Sequence, residues 1–257
     1  MSAILIIPAR YASTRFPGKP LAQLGAKTVI EHVVAAALQT RAARPILVAT
    51  DDDRIAQTIR DNFNSSEVEA AMTSENCATG TDRLAEVVRA RFAERLENER
   101  LIVVNIQGDE PFIEPRHVDA LIDAMTNDAT LKMATLATPL KERADDVNVV
   151  KVVCNQNGDA LYFSRLLIPF EREAGSFDKP RLRHLGIYAY EANWLLEMAA
   201  LPPSPLERAE MLEQLRALEN GVRIRVIEVQ EVAPIAIDTP DDLVRAEEFL
   251  SQTIGKR

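Results

Sequence analysis

The 257-residue sequence has no apolar stretch near the roughly 18 residues needed to span a bilayer. Its apolar start, residues 3–7, is too short for a signal peptide and is interrupted at once by Pro8 and Arg10. With neither an export signal nor a membrane segment in the sequence, we expect a cytoplasmic protein.

Cysteine and histidine are also scarce. Cys77 and Cys154 form no CxxC pair, and disulfides are rare in cytosolic proteins, so we expect two neutral thiols. The three histidines, His32, His117 and His184, lack the spacing of metal ligands, which argues against a zinc site.

The common nucleotide-binding and nucleophile motifs are absent. Residues 18–20 lack the first glycine and the Ser/Thr of a P-loop, and no GxGxxG motif supports a dinucleotide site. Ser13 is not part of a GxSxG motif, and no serine or cysteine has an evident histidine partner. Catalysis by an enzyme nucleophile is therefore disfavoured.

The sequence does contain a strongly basic loop. Residues 1–30 hold Arg10, Arg15, Lys19 and Lys27 and no acid, whereas the whole chain has a net charge of −9, so the remainder carries −13. A positive loop after a strand of an acidic protein indicates a site for a polyanion such as a nucleoside triphosphate. The acidic remainder argues against broad nucleic-acid binding.

Apolar strand-like runs alternate with amphipathic helix-like runs over the first half of the chain. The predicted strands are residues 4–7, 45–50, 67–72 and 101–106, and the predicted helices are 28–40, 51–63 and 81–96. Strands this apolar are covered on both faces, which predicts an α/β fold with a mostly parallel central sheet flanked by helices.

The pattern is looser between about residues 110 and 230. It predicts strands at 134–138, 149–154, 184–190 and 222–229, a helix at 206–219, and a closing helix at 241–250 with Thr239 as its N-cap. We therefore expect one domain of 257 residues, with a core of about 1–110 plus 223–257 and a smaller α+β lobe of about 111–222.

Polar clusters follow the four predicted strands of the first half, at residues 10–19, 51–53, 73–81 and 107–110. Ligands bind at the carboxyl ends of strands in open α/β sheets, so these clusters predict a cleft suited to a triphosphate with Mg²⁺. Residues 51–53 are better explained as a helix N-cap. Asp238 has two equal readings, as a site residue or as part of a helix start.

The whole chain resembles the 3-deoxy-manno-octulosonate (Kdo) cytidylyltransferases from about residue 3 to about residue 250. The resemblance rests on these segments: IPARYASTRFPGKPL (7–21), VATDD (48–52), MTS (72–74), GTDRL (80–84), NIQGDEP (105–111), ALYFSR with IP (160–165 and 168–169), RHLGIY (183–188), LEQLR (212–216) and DTP (238–240). Each segment is only modestly specific by itself, but the probability that all of them occur in this order by chance is very small.

The resemblance implies a nucleotide-diphospho-sugar transferase fold and transfer of CMP from CTP to the anomeric hydroxyl of Kdo, with Mg²⁺ and release of pyrophosphate. It also implies a cytoplasmic role in activating Kdo for the lipopolysaccharide inner core. It implies a homodimer, and it makes the lobe of residues 111–222 the part that binds the sugar and dimerises.

The resemblance also implies roles for charged side chains. Arg10 and Lys19 would hold the CTP phosphates, and Arg15 would lie where CTP and the sugar meet. Asp109 and Asp238 would hold the metal. All five would be catalytic, because fixed cations and a metal neutralise charge during nucleotidyl transfer.

Four polar residues are assigned to the nucleotide side by the same resemblance. Thr73, Ser74 and Thr81 would hydrogen-bond the cytosine and ribose. Gln107 would contact the nucleotide or the sugar. A histidine base is not required if a metal lowers the pKa of the attacking hydroxyl.

For the sugar, Arg165 would bind the Kdo carboxylate, and His184, Tyr188, Glu213 and Gln214 would bind the hydroxyls. Without the resemblance, His184 and Tyr188 could equally be core residues on one side of a strand. Glu213 and Gln214 could equally be solvated residues in the middle of a helix.

Three other functions stay open from the sequence. The acceptor could be 8-amino-Kdo or another acidic sugar, or it could be phosphorylated, which would require additional cations. A protein that only binds nucleotides would be expected to lack the metal carboxylates, and Asp109 and Asp238 are both present.

Overall fold

The computed structural model describes residues 2–13, 15–173, 175–230 and 235–254. The strands, in chain order, are β1 Ser2–Pro8, β2 Gln23–Leu24, β3 Lys27–Thr28, β4 Ala43–Thr50, β5 Val68–Met72, β6 Leu101–Asn105, β7 Met133–Pro139, β8 Lys151–Cys154, β9 Ala160–Ser164, β10 Leu182–Glu191 and β11 Ile224–Glu228. The helices are α1 Val29–Ala37, α2 Asp53–Asn62, α3 Gly80–Leu96, α4 Pro115–Asn127, α5 Ala192–Ala200, α6 Pro205–Glu210, α7 Gln214–Glu219 and α8 Pro240–Ile254.

Nine strands form one sheet with the order β11-β7-β10-β6-β1-β4-β5, and β8 and β9 extend it beside β10. Strand β1 is parallel to both β4 and β6, and β4 is parallel to β5. Strand β10 is antiparallel to β6 and β7. The prediction of a mostly parallel central sheet flanked by helices is confirmed.

Alternate residues of β1 enter two different cores. Leu5 and Ile7 belong to one hydrophobic cluster, whereas Ile4 and Ile6 belong to another on the opposite face of the sheet. All four side chains are at most 4% exposed. This explains why the strand is apolar at every position rather than at every second one.

Side-chain caps set the starts of several helices. Thr28 and Glu31 form a reciprocal capping box at α1, and Thr79 and Asp82 form another at α3. Asp52 caps α2 by accepting a hydrogen bond from the Arg54 backbone amide at 2.9 Å, which confirms the helix-cap interpretation for this part of residues 51–53.

The predicted helix over residues 206–219 is wrong in one respect, because it is two helices. Met211 has a φ of +53° and ends α6 before α7 begins. The break lets Arg216 pair with both carboxylate oxygens of Glu207, at 2.7 and 2.6 Å. On one continuous helix, residues nine apart would lie on opposite sides and about 13 Å apart along the axis.

The looser second half of the chain contains elements that the sequence analysis did not predict, namely α4, α5 and β9. Strands β7 and β10, from residues 111–222, lie in the same sheet as β1. The boundary between a core and a lobe stays a prediction. No helix in the described ranges has the length and apolarity to cross a membrane.

Both cysteines are free, as expected. Burial, followed by the nearby Glu86 carboxylate, raises the pKa of Cys77 to about 11. Burial also raises the pKa of Cys154 to about 11, with a contribution from Asp159. Both thiols are therefore neutral at physiological pH.

Candidate active site

The carboxyl ends of β1 and β6 bring two polar loops together. Ile6 is paired with Asn105, so the chain leaves both strands on the same edge of the sheet. A Cβ at Gly108 would lie 2.8 Å from the carbonyl oxygen of Pro8, which means that only glycine allows this close approach. The basic loop and the acidic loop therefore line one cleft, as predicted.

Two cavities occupy this cleft. The first cavity has a volume of about 260 Å³, and its polar lining includes Arg10, Arg15, Lys19, Arg83, Gln107, Asp109 and Asp238. The second cavity has a volume of about 610 Å³, and its polar lining includes Arg15, Gln107, Asp109, Glu110, Arg183, His184, Tyr188, Gln214 and Asp238. The walls shared by both cavities are formed by Arg15, Gln107, Asp109 and Asp238.

The shared wall contains a compact cluster of charges. The Lys19 ammonium contacts the Asp109 carboxylate and lies 3.1 Å from Oδ1 of Asp238. Arg15 pairs with the same Asp238 oxygen at 3.0 Å. Burial lowers the pKa of Lys19, but Asp109 and Asp238 more than offset it, so its pKa is raised and it stays charged.

Local backbone geometry presents Lys19 to the cleft. Gly18 has a φ of +73°, and its amide donates to the carbonyl of Tyr11 at 2.9 Å, which closes the loop before Lys19. The Arg54 guanidinium lies 3.4 Å from the centre of the Tyr11 ring and covers it as a cation–π contact. The loop is therefore held by packing as well as by charge.

A separate contact brings Asp238 to Asp109. The Ile237 amide donates to the Asp109 carbonyl at 2.9 Å, so the segment before α8 lies against the loop after β6. The Asp238 amide donates to the Asp242 carboxylate at 3.1 Å, which fixes the start of the helix. Asp238 therefore lines the cleft and also precedes α8, and its role as a site residue stays a prediction.

The described residues contain no group of three or more His, Cys, Asp or Glu side chains placed to hold a metal. Two carboxylates nevertheless converge on one cation, since Asp109 and Asp238 both contact Lys19. Mg²⁺ commonly takes only one or two carboxylates, with phosphate oxygens completing its shell. The donor set of Asp109 and Asp238 fits such an ion.

His184 and Tyr188 line the second cavity, and their ring centres lie 5.4 Å apart. The Thr135 hydroxyl donates to the Ile187 carbonyl at 2.8 Å and accepts from Nε2 of His184 at 3.0 Å. Burial, with the nearby Arg183 charge, lowers the pKa of His184 to about 3. The imidazole is therefore neutral.

Glu213 and Gln214 lie at the start of α7 rather than in the middle of a helix. The Thr81 hydroxyl donates to the Glu213 carboxylate at 2.6 Å, and Thr81 is buried. Burial raises the pKa of Glu213. Gln214 lines the second cavity, whereas Glu213 and Thr81 are absent from the described lining of both cavities.

Thr73 and Ser74 are likewise not brought to the lining of either cavity in the described part of the chain. The Thr73 hydroxyl accepts a hydrogen bond from Arg83, and Arg83 pairs with Asp51 at 2.7 Å. The Ser74 amide donates to Glu86 at 2.9 Å. Their predicted contacts with cytosine and ribose stay predictions.

Arg165 lies outside the described lining of both cavities. Its guanidinium donates to three backbone carbonyls, those of Glu210 at 2.6 Å, Val147 at 3.0 Å and Met211 at 3.2 Å. Two of these bonds tie the end of β9 to the turn between α6 and α7, and the bond to Val147 ties it to the segment before β8. A contact between Arg165 and a sugar carboxylate stays a prediction.

Several charged residues that line the cavities had no role predicted from the sequence, among them Arg83, Glu110 and Arg183. All three lie in segments that carry the family resemblance, so the signal was present. Burial, followed by the adjacent Asp109 charge, raises the pKa of Glu110 to about 8.

Comparison with known proteins agrees with this geometry. The cytidylyltransferase family profile matches residues 4–224. The 3-deoxy-manno-octulosonate cytidylyltransferase of Syntrophotalea carbinolica is 48% identical, with 97% of this chain and 99% of that protein covered. The protein of the same name from Anaeromyxobacter dehalogenans is 50% identical, with 96% and 97% covered.

Solved structures give the same result. A CMP:2-keto-3-deoxy-manno-octonic acid synthetase complexed with CTP superposes with a TM-score of 0.89 at 40% identity, over 98% of this chain and 100% of that one. A cytidylyltransferase from Leptospira borgpetersenii, at 15% identity and a TM-score of 0.60 over 99% and 96% of the two chains, shares the fold. This chain therefore belongs to the cytidylyltransferase family and, within it, to the 3-deoxy-manno-octulosonate cytidylyltransferases.

Proposed function

We propose that the protein transfers CMP from CTP to the anomeric hydroxyl of Kdo and releases pyrophosphate. The observation that carries this proposal is the shared wall of the two cavities, where Lys19 joins Asp109 and Asp238. A cation-lined cavity suits a triphosphate, and a larger cavity lined by hydrogen-bonding groups suits a polyhydroxylated sugar acid. The names of the relatives support the same pair of substrates.

In the first cavity, Arg10 and Lys19 bind the triphosphate. Arg10 is exposed at the carboxyl end of β1, and Lys19 reaches the cavity from the end of the basic loop. Arg83 also lines this cavity and is held in place by Asp51. Nucleotidyl transfer depends on positioning and charge neutralisation, which fixed cations supply directly.

Asp109 and Asp238 would hold Mg²⁺ at the shared wall. When bound, the ion neutralises phosphate charge and lowers the pKa of a coordinated hydroxyl. Removing divalent metal with a chelator should stop pyrophosphate release, and added Mg²⁺ should restore it. Full activity in the chelated protein would contradict this role.

The transfer makes one bond to the α-phosphorus, breaks one bond to it and moves one proton. The anomeric oxygen of Kdo bonds to the α-phosphorus of CTP, the bond from that phosphorus to the oxygen bridging the β-phosphate breaks, and the hydroxyl proton passes to water. Arg10 and Lys19 stabilise the charge on the departing pyrophosphate. With a pKa of about 3, His184 is too weak a base to take the proton, and it instead serves as a hydrogen-bonding group.

In the second cavity, Gln107, His184, Tyr188 and Gln214 bind the sugar. Glu213 supports this wall through its hydrogen bond from Thr81. Arg15 lines both cavities, which suits a residue at the meeting point of CTP and the sugar.

A panel of acceptors tests the proposal. Pyrophosphate release would be measured with CTP, Mg²⁺ and, in turn, Kdo, 8-amino-Kdo, other acidic sugars and a phosphorylated sugar. We expect release with Kdo. Release with another acceptor but not with Kdo would overturn the substrate, and release with none would favour a protein that only binds nucleotides.

The homodimer is part of the same proposal. Leu161, Leu166 and Phe170 have 61%, 70% and 87% of their surface exposed, and the first of these borders an apolar cavity that also includes Ile168 and Pro169. An exposed apolar area of this kind suits a protein–protein interface. Light scattering should give a molar mass of twice the 28.5 kDa chain mass. Phe170→Glu should shift the measured mass toward that of a single chain. A monomeric wild-type protein would contradict the dimer.

A further inference from the structure

Four arginines line the second cavity, and their surroundings differ. Three of them form ion pairs with carboxylates: Arg15 with Asp238, Arg143 with Asp146 and Arg245 with Asp242. For Arg183, no hydrogen bond or ion pair to the guanidinium is found within the described part of the chain. The charge of Arg183 is therefore available to a ligand.

The position of Arg183 makes this lack of a partner costly. It lies in β10 and is half-buried, and burial lowers its pKa, with Glu110 and Arg143 acting in opposite directions. A guanidinium remains protonated in proteins, so the desolvated charge persists at physiological pH. A carboxylate from the ligand would offset that cost by accepting two parallel hydrogen bonds.

A second unpaired donor lies in the same cavity. The side-chain nitrogen of Gln214 is buried and has no hydrogen-bond partner among the described residues. Buried polar groups are nearly always hydrogen-bonded, so the unpaired Gln214 amide, beside the unpaired Arg183 guanidinium, indicates a ligand rich in acceptor oxygens. A sugar acid supplies both a carboxylate and hydroxyl oxygens.

Arg165, the residue expected from the family resemblance, is not available in this conformation. Its guanidinium is held by three backbone carbonyls and does not line the second cavity. A carboxylate in the cavity would have to break those bonds to reach Arg165. Arg183 already faces the cavity at no such cost.

We propose that Arg183 binds the carboxylate of the acceptor sugar and so determines the preference of this enzyme for acidic sugars. The proposal rests on the proposed function, since it names the residue that recognises the acid group of that acceptor. It also assigns to Arg183 a role distinct from that of the arginines paired within the cavity wall.

Substrate and enzyme would be changed together in the test. KM for the acceptor would be measured with Kdo and with its uncharged 1-carboxamide, for the wild type, Arg183→Ala and Arg183→Lys. We expect Arg183→Ala to raise KM for Kdo about 10- to 100-fold, the effect of losing a hydrogen-bonded charge pair, with KM for CTP unchanged. The carboxamide should show the same KM with the wild type and with Arg183→Ala.

Arg183→Lys keeps the charge but loses the planar fork, so an intermediate KM for Kdo is expected. Arg181→Ala is a matched control from the same segment, because Arg181 pairs with Glu171 and is outside the described lining of both cavities. Arg181→Ala should leave KM for both acceptors unchanged.

An equal rise in KM for Kdo and for the carboxamide in Arg183→Ala would show that Arg183 has only a structural role and would overturn the proposal. A loss specific to Kdo in Arg165→Ala, but not in Arg183→Ala, would transfer the role to Arg165. If the wild type does not use Kdo, the proposed function fails separately. In that case, KM for the acidic sugar that does react and KM for its carboxamide, measured with the wild type and Arg183→Ala, decide the role of Arg183.

Discussion

The two cavities share one wall whose charges are paired, but the second cavity also contains donors that have no partner. In the first cavity, the cations Arg15 and Lys19 are paired with Asp238 and Asp109. In the second cavity, Arg183 and Gln214 have donors without partners in the described chain. A triphosphate that binds Lys19 therefore has to replace existing ion pairs, whereas a ligand that binds Arg183 and Gln214 only adds contacts.

Asp109→Asn should produce the largest effect, because it removes a proposed metal ligand and the partner of Lys19 at once. We expect kcat for pyrophosphate release to fall by about a thousandfold. Thermal unfolding would verify that the variant is folded. Near-normal turnover in a folded variant would show that Asp109 does not bind the metal. It would also contradict the proposed replacement of the Lys19 ion pairs when CTP binds.

Lys19→Ala should have the next largest effect. It removes a proposed phosphate ligand and leaves the Asp109 and Asp238 carboxylates without the cation between them. KM for CTP should rise about 10- to 100-fold. Lys27→Ala, in the same basic region but outside the described cavity lining, is the control. An effect confined to KM for Kdo would contradict the position of Lys19 on the nucleotide side.

The neutral His184 predicts how stability depends on pH. Its pKa falls from 6.5 to about 3 on folding, so the unfolded chain binds the additional proton between these values. The contribution of His184 to the free energy of unfolding is complete above pH 6.5 and decreases as the pH falls toward 3. At pH 5 the decrease is about 2 kcal/mol.

His184→Gln should therefore lose less unfolding free energy than the wild type between pH 7 and pH 5 in denaturant titrations. The glutamine amide can still donate to the Thr135 hydroxyl, which keeps the hydrogen bond at this wall. Parallel pH curves for the two proteins would show that His184 titrates normally in the folded state.

Thr81→Val should produce the smallest effect. It removes the hydroxyl that donates to Glu213 and should cost about 1 kcal/mol of unfolding free energy. KM for the acceptor should rise a few-fold because Glu213 supports that wall, with KM for CTP unchanged. Thr58→Val, at a partly exposed site in α2, controls for the substitution itself. A rise in KM for CTP instead would favour the nucleotide role predicted from the resemblance.

Local sequence patterns were sufficient for most of the central sheet. Residues 4–7 were predicted as a strand because every side chain is apolar, and β1 extends from Ser2 to Pro8. Helix α4 was missed although Val118, Leu121 and Met125 lie on one helical face and are buried. The break at Met211 was not predicted, and the contact that it allows, Arg216 with Glu207 across the turn, joins residues that a continuous helix would hold apart.

The candidate site divides in the same way. The residues next to apolar strands, such as Lys19 and Asp109, were identified because the ends of parallel strands meet at one edge. The surroundings of Arg165 and Thr81 were not predictable, since their partners are supplied by distant segments. Glu213, for example, is 132 residues from Thr81.

The sequence alone determined the parallel sheet, the basic loop and the acidic residues after β6, because burial and strand ends leave a local pattern. Only the tertiary structure decided which charges are paired and which are free. Lys19 and Asp238 are 219 residues apart and meet because the segment before α8 hydrogen-bonds to the loop after β6. Partners chosen by packing over such separations leave no local signal, and for the same reason the unpaired state of Arg183 became visible only in the folded protein.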